Sequence, residues 1–297
     1  ARNRAFAEAL RRAITPGRTR VADLGTGTGF LAALAARAGA GSVWACEAEA
    51  GLAALARKTL AANGLPRLRV ETGHSTELAP PTPVDLVVAE VLGNLATEEH
   101  LVETLTDARR FLAPGGAMIP CGVEHCVCPV TDAATQRAID VWPGIGFDYD
   151  LAAARRVSLN NLFVRTFAPE HLLDGGAAAQ VWERLAFPGQ NPSRRQGSVV
   201  WTMSQAVPVF GFAVWWKATL VPGVTLSTSP LAETTHWQQI YLPLLEPLDL
   251  RADDRLHLEI STDTRLSAGC RVRWSGRQMR RNREVARFAM DNLAGCL

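Results

Sequence analysis

The sequence predicts an α/β protein with a doubly wound, Rossmann-like parallel sheet, followed by a second domain built mainly of β-strands. Short apolar runs alternate with helical patterns from about residue 20 to residue 116, which predicts parallel strands joined by helices. The first apolar run leads into the glycine-rich turn DLGTGTG, which opens a helix, as in ligand-binding β-α-β units. After Pro120 the helical patterns become sparse, and strand-like runs separated by Pro, Gly and Asp turns take over.

Each element of the first half follows from a local pattern. An amphipathic pattern over residues 3–14 predicts a helix that ends before Pro16-Gly17. Four apolar runs of strand length and three more helical patterns follow it. The predicted strands are 21–24, 42–46, 68–71 and 84–90, and the later helices are 30–38, 52–63 and 98–116, the last of them stopped by Pro-Gly-Gly.

The change of pattern at about residue 120 divides the chain into predicted domains 1–120 and 121–297. Six of the eight tryptophans lie after Trp142, in the second of these domains. A helical pattern, DLAAARRVSLNNLFV, predicts a helical insertion over residues 148–175. The clearest strand patterns of the second domain are residues 207–221, 235–245 and 255–261.

Length and composition exclude several classes of protein. The chain has 297 residues, of which 47% are hydrophobic, enough for a sizeable core. Lys and Arg total 31 and Asp and Glu 29, a net charge of +2 that argues against a dedicated nucleic-acid binder. No run of 18 apolar residues is present, so no membrane span is predicted. Six scattered cysteines without a C-x-x-C pair predict no metal site, and isolated thiols predict a reducing, cytoplasmic compartment.

A carboxylate beside the glycine-rich turn narrows the choice of ligand. Asp23 lies two residues before Gly25, where it would repel the pyrophosphate of a dinucleotide but tolerate a cationic cofactor. Glu47 ends the second strand, 22 residues after Gly25, where an acid can accept hydrogen bonds from a ribose diol. These residues favour S-adenosylmethionine over a dinucleotide or a purely structural turn. Ser75 and Thr76 follow the third strand, at the edge where adenine would lie, although an ordinary polar turn fits them equally.

Two glutamates in AEVLGNLATEEHL indicate a cationic acceptor. Glu90 directly follows the fourth strand, at the edge where open α/β sheets bind ligands. Arginine's guanidinium presents five donors in a planar fork, so a pair of carboxylates such as Glu90 and Glu99 would bind it well. The competing interpretation is that Glu99 is an acid in the first turn of a helix, favourable with the helix dipole, and Glu98 fits that description equally.

A second unusual stretch is Thr235-His236-Trp237, in the β-strand half of the chain. A loop here could present an imidazole and an indole to a cleft between the domains. The competing interpretation is a buried tryptophan beside a histidine whose hydrogen bonds are satisfied within the core.

These stretches together resemble the protein arginine N-methyltransferase family, over nearly the whole chain and in the family's order. VADLGTGTGFLAALAARAGAGSVWACEAE resembles its cofactor motifs, and AEVLGNLATEEHL its double-glutamate loop. FLAPGGAMIP resembles the join between its two domains, and LSTSPLAETTHWQQIYL its threonine-histidine-tryptophan loop. Two departures are Thr76, where members often have an acid, and Val91, where they often have an aromatic residue or methionine.

The resemblance implies an S-adenosylmethionine-binding domain followed by a β-barrel domain, with residues 148–175 as a helical arm that forms homodimers. The family's lid helix is expected to precede Ala1. The residues implied for the cofactor are Arg2 at the methionine carboxylate, Asp23, Gly25 and Gly27 along the methionine part, Glu47 at the ribose, and Ser75 and Thr76 near adenine.

The implied reaction is methyl transfer to a guanidino nitrogen of arginine. Glu90 and Glu99 would hold the guanidinium, His236 would carry away a proton or brace its loop, and Trp237 would wall the arginine channel. Free L-arginine and arginine in a peptide or protein both remain open as acceptors, and neither the number of methyl groups nor their symmetry follows from the sequence. The alternative is a non-catalytic scaffold or interaction protein that binds the cofactor.

Overall fold

The computed structural model describes residues 1–66 and 68–295, and the chain forms two compact units. The α/β unit comprises Ala1–Val123, Leu185–Pro192 and Lys217–Ser227. The β unit comprises Glu124–Arg184, Ser193–Trp216 and Thr228–Leu297. Whether an independently folding domain ends at about residue 120 stays a prediction.

The α/β unit contains the predicted Rossmann-like sheet, with five strands in the order β3-β2-β1-β4-β5 and parallel pairing throughout. Its central strands are almost completely buried, which explains their near-continuous apolar sequences. The strands are β1 (Arg20–Leu24), β2 (Ser42–Glu47), β3 (Arg69–Thr72), β4 (Val84–Ala89) and β5 (Leu112–Ile119). The helices are α1 (Arg2–Ala13), α2 (Phe30–Arg37), α3 (Ala50–Ala62) and α4 (Leu101–Ala108).

The register of the sheet brings three predicted site segments to one edge. Leu24, the last residue of β1, pairs with Cys46 of β2 on one side and Ala89 of β4 on the other. The next residues along these strands are Gly25, Glu47 and Glu90, so all three lie at the carboxyl edge of the sheet. Open α/β sheets bind their ligands at this edge.

The predicted helix over 98–116 is wrong at both ends. The helix α4 begins only at Leu101 and ends at Ala108, and a short 3₁₀ turn at Arg109–Phe111 leads into β5. Pro-Gly-Gly lies inside β5, where the pairing register shifts between Leu112 and Ala117. The proline and glycines were expected to end a helix. They instead form a bulge in β5, which tolerates them because it is an edge strand.

The remaining strands form two further sheets, whose described pairs are antiparallel. One has the order β7-β12-β10-β6-β8, with β11 also paired to β10, and the other has the order β15-β14-β13-β9. The strands are β6 (Gly122–Val130), β7 (Phe163–Arg165), β8 (Gln180–Ala186), β9 (Arg194–Thr202), β10 (Val207–Val221), β11 (Val224–Ser227), β12 (Gln239–Leu250), β13 (Arg255–Asp263), β14 (Arg271–Arg280) and β15 (Arg283–Asp291).

Helices are short in the β unit. The helix α5 spans Ala133–Arg137, and α6 spans Ala152–Leu159, within the segment predicted as a helical insertion. The predicted strand over 235–245 begins only at Gln239, so the Thr-His-Trp segment precedes β12 as a loop. Among the residues that the structure describes, no helix is long and apolar enough to cross a membrane.

Candidate cofactor and acceptor site

The glycine-rich turn between β1 and α2 depends on backbone conformations that favour glycine. Gly25 and Gly27 have φ angles of 65° and 55°, in the left-handed region. A Cβ on Gly25 would lie 3.3 Å from Cγ1 of Val91, the residue after Glu90. The turn therefore passes close to the start of the acceptor loop, which we define as residues 90–100.

The carboxylate of Glu47 accepts hydrogen bonds from two backbone N–H groups at the carboxyl edge of the sheet. One carboxylate oxygen accepts the Gly27 N–H at 2.9 Å, and the other accepts the Glu49 N–H at 3.0 Å. The residue is 8% exposed, so these bonds fix its orientation in a largely buried position. Each carboxylate oxygen has two lone pairs, so the side chain retains acceptor capacity for the hydroxyls of a ribose.

Asp23 is fully buried, and only one of its two carboxylate oxygens accepts a side-chain hydrogen bond from the described residues. Its Oδ2 accepts the hydroxyl of Thr26 at 2.6 Å, whereas its Oδ1 has no hydrogen-bond partner among the described residues. Burial raises the pKa of Asp23 to about 6, against the opposing bonds from Thr26 and the backbone of Ala32. Thr26 was not identified from the sequence, although its place between the glycines was the available signal. The unpartnered oxygen leaves Asp23 with acceptor capacity for a ligand donor at this edge.

Arg2, in the first turn of α1, lies close to the carboxylates of Glu90 and Asp23. Its Nη2 forms an ion pair with Oε2 of Glu90, and its Nε is buried without a hydrogen-bond partner in the described part of the chain. Burial lowers the pKa of Arg2, and the charge of Asp23 opposes that shift. A buried donor at Arg2 and a buried acceptor at Asp23 fit the carboxylate and the ammonium of an α-amino acid group.

The two glutamates of the acceptor loop differ in their surroundings. The side chain of Glu90 is 13% exposed and bound to Arg2. Glu99 is exposed, and no hydrogen bond or ion pair joins its side chain to any residue that the structure describes. Glu98 is not an acid of the helix's first turn, which corrects the sequence interpretation, because α4 begins at Leu101.

The polar stretch after β3 is partly occupied by its own contacts. Ser75 is 8% exposed, and its backbone oxygen accepts the guanidinium of Arg110 at 2.8 Å. Thr76 is exposed, and its hydroxyl lies 2.7 Å from Nδ1 of His74. Arg110 was not identified from the sequence, since an arginine near the end of a helix usually carries only a solvated charge. The contribution of this stretch to adenine binding stays a prediction.

His236 and Trp237 belong to the β unit, where their rings lie in contact at an interplanar angle of 36°. Trp237 is 7% exposed and packs edge-on against Trp216, with ring centroids 5.0 Å apart. The exposed imidazole of His236 lies 3.9 Å from the Trp237 ring, centroid to centroid. The hydroxyl of Thr235 donates to the Trp237 carbonyl at 3.1 Å, which closes the turn. The buried Trp237 ring thus packs directly against the exposed His236 ring.

Other features of the α/β unit do not compete with this edge. A cavity of about 700 Å³ lies at the opposite end of the sheet, lined by residues such as Ser42, Trp44 and Val84. None of the predicted site residues lines it. Within 1–66 and 68–295, no group of three or more His, Cys, Asp or Glu side chains could hold a metal ion.

Comparisons with known proteins agree with this geometry. A family model described as a methyltransferase domain matches residues 21–116, and one described as the arginine methyltransferase oligomerization subdomain matches residues 124–269. An arginine N(omega)-methyltransferase of Streptomyces achromogenes subsp. streptozoticus is 33% identical over 266 residues, covering 87% of this chain and 72% of the relative. Protein arginine N-methyltransferase 6 of Xenopus tropicalis is 30% identical, covering 83% and 74%.

Solved structures share the fold over almost the whole chain. A Trypanosoma brucei PRMT1 enzyme-prozyme heterotetrameric complex with AdoHcy superposes with a TM-score of 0.84, at 22% identity, covering 98% of this chain and 93% of that chain. Arabidopsis thaliana protein arginine methyltransferase 10, solved in an open conformation, gives a TM-score of 0.82, at 19% identity, covering 97% and 94%.

The Rossmann-like sheet with an acid-lined carboxyl edge, followed by antiparallel sheets, defines the class as a two-part methyltransferase. Within that class, the chain belongs to the arginine N-methyltransferase family. The predicted fold, the predicted enzyme class and the predicted cofactor, S-adenosylmethionine, are confirmed at this level.

Proposed function

We propose that Glu90 and Glu99 hold the guanidinium of an arginine acceptor while it receives the methyl group of S-adenosylmethionine. The observation that carries this proposal is the ion pair between Glu90 and Arg2. Glu90 lies at the carboxyl end of β4, beside the glycine-rich turn, and its carboxylate already binds a guanidinium from within the chain. Exposed Glu99, at the other end of the acceptor loop, supplies the second carboxylate.

The cofactor's amino-acid part is assigned to Arg2 and Asp23. Nε of Arg2 and Oδ1 of Asp23 are buried and have no hydrogen-bond partner among the described residues, and they match a carboxylate and an ammonium in sign and in hydrogen-bonding type. Glu47 takes the ribose hydroxyls, with Gly25 and Gly27 along the methionine part and Ser75 and Thr76 near adenine. When bound, S-adenosylmethionine supplies an electrophilic methyl group on its sulfonium.

The two glutamates make a poor nucleophile usable. A guanidinium has a pKa above about 12, so the acceptor arrives protonated. Two carboxylates fix its orientation and draw positive charge towards the nitrogens that they contact, which leaves the remaining nitrogen more electron-rich. Positioning and preorganised charge then supply much of the rate enhancement. From the family resemblance we also propose that His236 takes up the released proton and that Trp237 walls the arginine channel.

Substitution of each glutamate by glutamine tests the assignment. Because the amide cannot balance a guanidinium charge, we expect Glu90→Gln and Glu99→Gln to lower kcat by at least about 100-fold, with cofactor affinity changed little in Glu99→Gln. Turnover is measured by mass spectrometry and cofactor affinity by calorimetry. Near-normal turnover in both variants would contradict the assignment. A wild-type chain that binds the cofactor but methylates no arginine acceptor would support the alternative, a non-catalytic scaffold.

The form of the acceptor is tested directly. The names of the relatives supply two candidates, since the Streptomyces enzyme is named for arginine and the Xenopus enzyme for protein arginine. We propose that free L-arginine is the acceptor, because the relative whose name gives arginine without the word protein shares the greater identity, 33% against 30%. Equal concentrations of free L-arginine and an Arg-Gly-rich peptide are offered together, and methylated products are quantified. Preference for the peptide would overturn the proposal.

We also propose a homodimer formed through the helical arm over residues 148–175. The beginning of this arm and the residue before it expose two large apolar side chains, with Phe147 83% and Tyr149 76% exposed. Isolated patches of this kind often mark protein interfaces. Sedimentation of the wild-type chain should show a dimer, and the Phe147→Ser/Tyr149→Ser variant should show a monomer with an unchanged circular dichroism spectrum. A monomeric wild type would contradict the proposal.

A cytoplasmic location is proposed on the state of the thiols. Cys46, Cys121 and Cys128 form no disulfide with another described cysteine. Disulfides persist mainly in oxidising compartments, and free thiols are typical of reducing ones. Fractionation of source cells checks this, and recovery of the protein outside the cytoplasmic fraction would contradict it.

A further inference from the structure

The acceptor loop has a strained backbone that needs internal support. It joins β4 to α4, and Gly93 and Ala96 form an isolated antiparallel bridge within it. Ala96 and His100 have φ angles of 59° and 60°, in the left-handed region that L-residues other than glycine rarely adopt. Such conformations persist only where surrounding contacts determine them. The two glutamates proposed to bind the guanidinium stand at the two ends of this segment.

Glu98 provides an internal contact that spans the loop. Its Oε1 accepts the backbone N–H of Asn94 at 2.6 Å, and its carboxylate also accepts the backbone N–H of Leu95. Both donors precede Glu98 in the chain, so the side chain folds back over the loop. A helix-capping acid would instead accept N–H groups from the first turn of α4, which follows it.

Gly93 leaves the space that this folded-back side chain occupies. A Cβ on Gly93 would overlap Oε1, Cγ and Cδ of Glu98. The φ angle of Gly93 is not in the left-handed region, so its backbone does not require glycine. Glycine is required at residue 93 because a larger side chain would occupy the space of the Glu98 side chain.

The Glu98 carboxylate stays in this position although its burial and the charge of Glu99 both disfavour its ionised form. Burial raises the pKa of Glu98, and the charge of Glu99 raises it further, while the N–H groups of Asn94 and Leu95 act in the opposite direction. An acid without a role here would gain by turning out to solvent, since desolvation disfavours its charged form. Glu98 instead stays buried and accepts hydrogen bonds from backbone N–H groups of the strained loop.

We infer that Glu98 is a positioning residue, whose carboxylate closes the acceptor loop over Gly93 and thereby sets the placement of Glu90 and Glu99. This inference rests on the proposed function of those two glutamates. Glu98 itself touches neither cofactor nor acceptor in this scheme. Its effect on the reaction comes through geometry, to which enzymes are sensitive at about the 1 Å level.

Three variants test the contact. Glu98→Ala removes the acceptor of two N–H groups, and we expect kcat to fall by about 10- to 100-fold while cofactor affinity is unchanged. Gly93→Ala displaces the carboxylate, so a fall of similar size is expected. In the double variant the new methyl group enters the space that Glu98 has vacated, so the loss should not exceed that of Glu98→Ala alone. A product of the two single losses would overturn the inference, because it would mean independent effects.

Two further variants separate positioning from a general loss of structure. Glu98→Gln retains a carbonyl oxygen that can accept one N–H, so its kcat should lie between those of the wild type and Glu98→Ala. Glu259→Ala, at an exposed glutamate on β13 of the β unit, should keep wild-type kcat and stability. If Glu98→Gln were as slow as Glu98→Ala, or if Glu98→Ala kept wild-type kcat, the inference would fail.

Hydrogen exchange by mass spectrometry supplies a readout that does not depend on turnover. The amides of Asn94 and Leu95 should exchange faster in Glu98→Ala than in the wild type, and those of β1 should not change. Unchanged exchange at both amides overturns the inference, whatever the activity. Failure of the proposed function appears differently, as normal turnover in Glu90→Gln and Glu99→Gln, so the two failures are distinguishable.

Discussion

Asp23 in the α/β unit and Glu183 in the β unit are both buried carboxylates, but their surroundings are opposite. Glu183, on β8, lies 2.8 Å from Nδ1 of His125 and 2.7 Å from Nε of Arg195. Burial alone would raise the pKa of Glu183, but the hydrogen bond and charge of His125, together with Arg195, lower it. Asp23 has no comparable set of partners, and burial raises its pKa to about 6.

The difference separates an acid that serves the fold from one that serves a ligand. The charge of the Glu183 carboxylate is balanced within its own unit by the buried guanidinium of Arg195, although Oε2 of Glu183 makes no hydrogen bond of good geometry to a described residue. The carboxylate of Asp23 keeps one oxygen unpartnered within the described chain, so its burial is a standing cost to the unliganded protein. A cationic ligand would remove that cost, which is the physical reason to place the cofactor's ammonium there.

The largest effect is expected for Glu183→Gln. Loss of the charge leaves Arg195 buried with only part of its hydrogen bonding, and breaking a buried ion pair in this way costs about 3–5 kcal/mol. Thermal unfolding should show a clear fall in Tm, whereas cofactor affinity at a temperature below the transition should not change. The matched control is Glu284→Gln, which breaks an exposed pair with Arg287 and should leave Tm unchanged. Equal stability of the two variants would show that the Glu183–Arg195 pair contributes no more to the fold than an exposed ion pair.

Asp23→Asn should have the opposite effect on stability. A pKa raised from 3.8 to about 6 means that folding disfavours the ionised carboxyl, a cost that is absent below pH 4 and complete above pH 6. Its upper limit is about 3 kcal/mol. The variant should therefore unfold at a higher temperature than the wild type at pH 7.5, and at the same temperature at pH 4. Its cofactor affinity should fall by about 10- to 100-fold, as expected for a lost charge-assisted hydrogen bond. Lower stability at pH 7.5 would contradict the assignment.

The pH dependence of cofactor binding in the wild type follows from the same group. Only ionised Asp23 attracts the ammonium, so the apparent Kd should be constant above about pH 6 and rise towards 10-fold per pH unit below it. Calorimetry between pH 5 and pH 8 measures this, and Asp23→Asn should abolish the change. A flat profile in the wild type would show that the ammonium is bound elsewhere.

The sequence was sufficient for the parts of the site that are fixed by strand ends. Asp23, Glu47 and Glu90 each end or follow an apolar run, and parallel strands bring such positions to one edge. What it could not provide were contacts between residues in irregular segments. The Glu98 carboxylate folds back onto amides that precede it, and periodicity carries no information about such a loop. The Pro-Gly-Gly of β5 was misread because a bulge and a helix stop use the same residues.

The smallest effect is expected from Gly27→Ala, which separates backbone strain from ligand binding. Gly27 has a φ of 55° and open space where a Cβ would lie, so alanine there should cost about 1 kcal/mol through backbone strain alone. Gly64, after α3, has a φ of 76° and similar open space, and Gly64→Ala should cost about the same. The two variants should therefore share a small decrease in Tm. Only Gly27→Ala should also weaken cofactor binding, because the Gly27 N–H orients Glu47. Equal cofactor affinity in both variants would mean that the turn acts on the fold and not on the ligand.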